Sequence, residues 1–213
     1  SVSCLLFVGG ILGASFLQVN TYLLEDLSDT DPVKMDYVFF EEKFSGARPM
    51  EIELQVGPAK NNIFDFEVAK EIERIENYVE KSYTENGVGF ILSPLDPIKY
   101  LYKIKHANNQ KYFKLPKREQ TYSNLIQAAQ KYYSIENSST LVSADSLFAR
   151  ISGKINDLGS HVIDIENKKF NRFVNDSING NYLQVALTGT PLLLDKNNKK
   201  LSTNILIGLG AAF

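Results

Sequence analysis

Cysteine, tryptophan and histidine are scarce: one Cys, no Trp and two His in 213 residues. The lone Cys4 excludes a disulfide framework and a multi-cysteine metal site. It opens the apolar run it sits in, whereas a lipidated cysteine would follow such a run. There is no basic excess either: the net charge is −2, which leaves no electrostatic case for nucleic acid. No G-x-S-x-G, P-loop, H-E-x-x-H or dinucleotide glycine pattern occurs. Nothing assembles a nucleophile, a base and an oxyanion site, so neither an enzyme nor a cofactor is expected, and no catalytic residue is assigned.

What is there begins with the placement of apolar residues. No charge occurs from Ser1 to Leu24, and Val2 to Val19 is almost wholly apolar. A run of about 18 such residues is just long enough for most of a transmembrane helix. A signal peptide would need a basic segment ahead of it, which is missing. Gly9, Gly10 and Gly13 disfavour a buried soluble helix and are commoner in membrane spans. Leu201 to Phe213 is again uncharged and apolar, but too short to span by itself. The expectation is a truncated membrane helix at 1–19, an extramembrane domain at 20–200, and the start of a second membrane helix at 201–213.

The domain itself is organised around Met50 to Val56, where Met50, Ile52, Leu54 and Val56 alternate with Glu51, Glu53 and Gln55. Period two predicts a half-buried strand. Ahead of it, Val19 to Leu27 reads as a short strand. Asp31 as N-cap and Pro32 at the first helical position then start a helix. Val33, Tyr37, Phe40 and Phe44 fall at helical spacing, and Gly46 suits its C-cap. After the strand, Asn61 or Asn62 caps a helix to about Thr84, with Val68, Ile72, Ile75 and Val79 as one buried stripe. Glu67, Lys70, Glu71, Arg74 and Lys81 are placed on its outer faces.

Further strands are expected at 88–92, 146–152 and 182–188, with a helix at 160–178 between the last two. The order βαββαβ predicts an α+β, ferredoxin-like sandwich, the split βαβ unit. Residues 97–140, rich in Lys, Tyr and Gln, read as a helical insertion with helices near 97–106 and 118–133.

Candidate chemistry is thin. An i, i+3 pair of His161 with Asp164, near Asp157, has the spacing to hold a metal. Asp157, Ser160 and Asp164 at a helix start are more simply caps or dipole partners, and no metal is assigned. The acidic cluster Glu25, Asp26, Asp29, Asp31 lacks the ligand spacing and interior glycine of a calcium loop. Tyr100, Tyr102, Tyr112, Tyr122, Tyr132 and Tyr133 suit either an amphiphilic ligand or a small aromatic subcore, the simpler of the two.

The stretch from Val19 to Val56 resembles the start of an extracytoplasmic loop in exporters of the resistance-nodulation-division superfamily, in the MmpL-like, hydrophobe/amphiphile efflux branch. The resemblance lies in Leu23-Leu24-Glu25-Asp26 and in Phe44-Ser-Gly-Ala-Arg-Pro49. Arg150 to Ser160 is similar to the third strand and its exit. Val185 to Asp195 with Leu201 to Phe213 is similar to the last strand leading into a membrane helix. The family implies a proton-driven exporter in a bacterial inner membrane, with this segment on the periplasmic side. It implies hydrophobic, amphiphilic or lipid-like cargo. The implied partners are the other half and membrane bundle of the same transporter, with a possible homo-oligomer. No proton-relay acid and no ligand-binding residue can be carried onto this segment. The alternative is a ligand-sensing or lipid-binding extracytoplasmic domain of a two-span membrane protein.

Overall fold

The computed structural model describes residues 22–44, 46–82, 88–133 and 141–189, with isolated positions between 192 and 208. In chain order the elements are α1 (Pro32–Phe44), β1 (Arg48–Val56), α2 (Phe66–Ser82), β2 (Val88–Leu92), α3 (Asp96–Lys105), a 3-10 turn (Gln110–Tyr112), α4 (Glu119–Tyr133), β3 (Phe148–Ile155), α5 (Ser160–Ser177) and β4 (Leu183–Thr188). The class is α+β.

Alternation in β1 sets the two faces of the sheet. Met50, Ile52 and Leu54 are buried; Glu53 and Gln55 are exposed on the other face. β3 runs antiparallel to β1, with Arg48 opposite Ile155 and Gln55 opposite Phe148. β4 lies antiparallel on the other side of β1, with Glu51 opposite Thr188. β2 pairs antiparallel with the outer edge of β3, and its register shifts between Val88 and Phe90. The strand order is β2-β3-β1-β4.

One face of this sheet is covered by α2 and α5. Val68, Ile72, Ile75 and Val79 of α2 are fully buried there, as the stripe predicts. Tyr78 of α2 stacks on Phe173 of α5 at 4.1 Å between ring centres. Phe170 packs edge-on to Tyr78 and belongs to the same core as Ile52, Leu54 and Ile151. Each fully buried Ile or Leu contributes about 1.5–3 kcal/mol through removal of its surface from water.

The insertion adds to this core. Leu95, Ile98, Leu115, Tyr122, Leu125 and Ala129 are buried and join the same cluster. The Tyr122 hydroxyl donates to Phe64 O at 2.9 Å, and Leu115 N donates to Glu73 Oε1 at 2.6 Å.

Several boundaries differ from the sequence reading. Tyr22 to Leu27 form turns, not a strand, and Glu25 accepts from Tyr22 N–H at 2.9 Å. The second helix begins at Phe66; Asn62 instead closes a turn by accepting from Phe64 N at 2.8 Å. The expected end at Thr84 lies outside the described residues. β3 starts at Phe148 because Ser146 takes a left-handed φ of 57°, a turn conformation. Glu71 is buried at 9% exposure rather than on an outer face, and its carboxylate pairs with Arg74 at 2.9 Å. The expected membrane helix at 1–19 lies outside the described residues, as does most of 201–213. Among the described residues, no helix is long and apolar enough to cross a membrane.

Candidate functional site

The site grows from one end of the sheet, where β1 begins and β3 and β4 finish. Extending the β1 alternation backwards puts Arg48 on the inner face, and it is 2% exposed. A buried guanidinium needs an anion. Asp157, just past β3, supplies it: Arg48 Nη1 lies 3.2 Å from Asp157 Oδ1. The other carboxylate oxygen accepts from Leu23 N–H at 2.6 Å. Gly159 N–H donates to Oδ1 at 3.4 Å, beside the start of α5. The Asp157 backbone N–H donates to Glu41 Oε1 on α1 at 2.5 Å. Residue 157 thus ties β1, α5, α1 and the segment at Leu23 together.

Asp157 was expected to serve as a helix cap or, less simply, a metal ligand. The N-cap position of α5 belongs to Gly159, with no side-chain cap bond, and Asp157 is engaged by Arg48. Asp164 pairs with Lys168 at 2.7 Å. The structure therefore does not bring His161, Asp157 and Asp164 together as a ligand set, and no such group occurs among the described residues. The Asp31 carboxylate accepts from Val33 N–H at 2.8 Å and so caps α1, as expected.

α1 has no buried residue, and its exposed positions mix apolar side chains with Asp36, Glu42 and Lys43. Its partly covered positions are Lys34, Tyr37 and Glu41, spaced as one helical stripe. Lys34 donates to Leu27 O at 3.0 Å and pairs with Asp29 at 2.7 Å. The Tyr37 hydroxyl is buried with no hydrogen-bond partner. Burial raises its pKa first, and the charges of Asp157 and Glu41 raise it further. Val33, Met35, Val38, Phe39, Phe40 and Phe44 are all exposed, from 41% at Val38 to 60% at Val33. Helical spacing foretold the helix, but not that its polar stripe faces the domain.

Beside Arg48, a cavity of about 30 Å³ is lined by Met50, Ile155, Ile163, Leu187 and Leu192. That is room for about one water, not for a ligand. Leu192 brings the chain beyond β4 back to Arg48.

A second buried ion pair joins α2 to the insertion. Glu76 is 1% exposed, and its Oε2 lies 2.5 Å from Lys99 Nζ on α3. Glu76 Oε1 is buried without a hydrogen-bond partner. Burial is the largest influence on this carboxyl and pushes its pKa up to about 7 despite Lys99. Asp96 accepts from Ser93 N–H at 2.8 Å beside it, and Lys99 also lies over the Phe113 ring.

The insertion's rings pack among themselves. His106 stacks on Tyr112 at 3.8 Å and meets Tyr102 edge-on, while Tyr100 meets Phe113 edge-on. The side chains of Tyr132 and Tyr133 lie outside the described residues. Sequence reasoning missed Arg48 and Glu76. The signal was present in both: Arg48 continues the inner face of β1, and Glu76 is spaced i+4 from Ile72 and i−3 from Val79, on the apolar stripe. The chain matches no protein-family model and no curated protein.

Proposed function

We propose that this chain is the extracytoplasmic domain of a proton-driven exporter of the resistance-nodulation-division type, in the MmpL-like branch, held in a bacterial cell membrane. The observation that carries the reading is where the two apolar runs join the domain. Leu23, next to the first run, is bonded to Asp157; Leu192, leading towards the second, lines the cavity beside Arg48. Both connections therefore lie at the end of the sheet that Arg48 marks. A loop domain mounted between two membrane helices needs its two connections on one side.

The connectivity supports the same reading. The order β2-β3-β1-β4, with a helix after β1 and another after β3, agrees with a ferredoxin-like split βαβ carrying an insertion between its middle strands. The domain's role in this proposal is to handle hydrophobic, amphiphilic or lipid-like cargo and to contact neighbouring domains of the same transporter. Its uncovered sheet face, with Glu53, Gln55, Phe148 and Arg150, is the surface left for such a neighbour.

Cysteine labelling tests the topology, Cys4 being the only cysteine in these 213 residues. With Cys4 and every other cysteine of the cellular protein replaced by Ser, Lys117→Cys on the exposed insertion should react with a membrane-impermeant maleimide in intact cells. Reaction only after permeabilisation overturns the extracytoplasmic placement. Cells lacking the protein should also retain more of a lipophilic dye, with the difference abolished by a protonophore. Correct topology with no such difference overturns export and leaves a ligand-sensing or lipid-binding domain.

A further inference from the structure

We infer that the open face of the sheet pairs with the same face of a second copy of this chain, about a two-fold axis parallel to the strands. The inference rests on the reading above and names the neighbour for that face. The charges on the face identify the occupant. Outward from β1 the charged residues are acids, Glu51 and Glu53; outward from β3 they are bases, Arg150 and Lys154. The Glu53 carboxylate is exposed and holds no hydrogen bond or ion pair among the described residues. Glu51 Oε2 is buried with no hydrogen-bond partner, and Arg150 Nη1 stands 3.9 Å from it. An acidic strand beside a basic strand is thus left incompletely paired within one copy. Apolar side chains accompany the charges: Phe148 is 39% exposed and Leu92, on the β2 edge, 42%.

The register makes this face self-complementary. Glu53 lies directly opposite Arg150 across the β1–β3 ladder, and Gln55 opposite Phe148. A two-fold axis between β1 and β3, parallel to them, turns one sheet over onto the other and keeps each residue at its own height along the strands. β1 of one copy then covers β3 of the other. Glu53 faces the partner's Arg150 and Arg150 faces the partner's Glu53, while Gln55 faces the partner's Phe148. Thr188 and Leu92 share the row of Glu51 and Ser152, so each faces the other across the axis. No row opposes like charges, as a contact between identical patches requires. Sheets packed face to face lie about 10 Å apart and within about 30° of parallel, which an Arg and a Glu side chain bridge together. An axis across the strands instead lays β1 on itself, acids against acids, and sends the two Arg48 ends in opposite directions. The parallel axis keeps both Arg48 ends, with Leu23 and Leu192, on one side, as two copies in one membrane need. Four strands about 4.8 Å apart and about six residues long present roughly 400 Å² per copy. Roughly 800 Å² in all is the size of a weak pairing, which confinement to one membrane strengthens through local concentration.

The experiment uses the whole chain with Cys4→Ser and Lys117→Cys, labelled in separate batches with donor and acceptor dyes and mixed in detergent. Energy transfer should rise with protein concentration and fall with added salt. Glu53→Arg or Arg150→Glu alone sets like charges face to face twice and should raise the Kd roughly tenfold or more. Both side chains are exposed, so neither change removes a core contact. An equimolar mixture of the Glu53→Arg chain with the Arg150→Glu chain should recover the wild-type transfer, because Arg then faces Glu at both sites. That rescue cannot arise inside one copy, where residues 53 and 150 keep like charges. Should a reversal unfold the chain, Glu53→Gln with Arg150→Gln tests the same contact and should make pairing markedly less sensitive to salt. Absence of transfer in the wild-type chain, indifference to both reversals, or failure of the mixture to recover overturns the inference. Pairing as described in a protein that fails the maleimide topology test leaves the dimer standing and removes the exporter reading. Correct topology without pairing removes the dimer alone.

Discussion

At the Arg48–Asp157 seam, the carboxylate serves a cation and two backbone N–H groups at once. At the Glu76–Lys99 seam, the carboxylate is equally buried but one of its oxygens has no donor. The first arrangement keeps its anion well solvated by the protein, so Asp157 remains a junction for four segments. The second keeps a carboxyl whose charged form is only half supported, and its pKa rises accordingly. Two ion pairs of similar geometry thus do different things. One is a joint where the chain enters and leaves the domain. The other is a titratable contact between the sandwich and its insertion.

The largest expected effect breaks the second pair from the acid side. Glu76→Gln leaves the buried Lys99 ammonium without its hydrogen-bonded carboxylate and should cost about 3–5 kcal/mol in urea unfolding. Glu76→Gln with Lys99→Met removes both charges and should recover most of that loss. Equal instability of the single and double variants would show that packing, not charge, holds the seam.

Arg48→Met should cost somewhat less, about 3 kcal/mol, because Asp157 keeps its bonds from Leu23 and Gly159. Protease cleavage near Leu23 should accelerate in parallel, since that segment depends on the same carboxylate. A loss larger than that of Glu76→Gln would reverse the ranking drawn from the unpartnered oxygen.

Gly46→Ala comes next, at about 2 kcal/mol. Gly46 has φ of +119°, and a Cβ there would meet Ile155 C at 2.6 Å. The strain falls on the connection from α1 to β1, so Gly46→Ala should also loosen hydrogen exchange in α1 more than in α4. Uniform loosening would show that α1 is not separately anchored.

The sheet was legible because its physics is local: alternation in Met50–Val56 and Leu183–Leu187 fixes which side chains go inward, whatever else the chain does. The α2 stripe was legible for the same reason at period 3.6. The buried charges were not read, although Arg48 and Glu76 sit on the inner positions of those two patterns. A charged residue is expected outside, and only a partner distant in sequence reverses that expectation: Asp157 lies 109 positions from Arg48, and Lys99 lies 23 from Glu76. Partners of that kind belong to topology, which spacing alone does not contain. The orientation of α1 escaped for a related reason, since charges and apolar residues are mixed around the helix, leaving no single stripe to read, and Asp157 holds it through Glu41.

The smallest effect per step is a slope with pH, at most about 1.4 kcal/mol for each pH unit, and it sharpens the comparison most. The Glu76 carboxyl has its pKa raised from 4.5 in the unfolded chain to about 7 in the fold. Between those values the folded state binds more protons than the unfolded state, so stability falls as pH rises from 4.5 to about 7. Above that window the loss is complete and the contribution is flat. Urea midpoints measured across this range should therefore decline in the wild-type chain and lose that component in the doubly substituted Glu76→Gln, Lys99→Met chain. Arg48→Met should leave the slope in place, because Asp157 is a different carboxylate with donors of its own. A slope that disappears with Arg48→Met but survives removal of Glu76 would assign the titration to the wrong seam and exchange the roles of the two ion pairs.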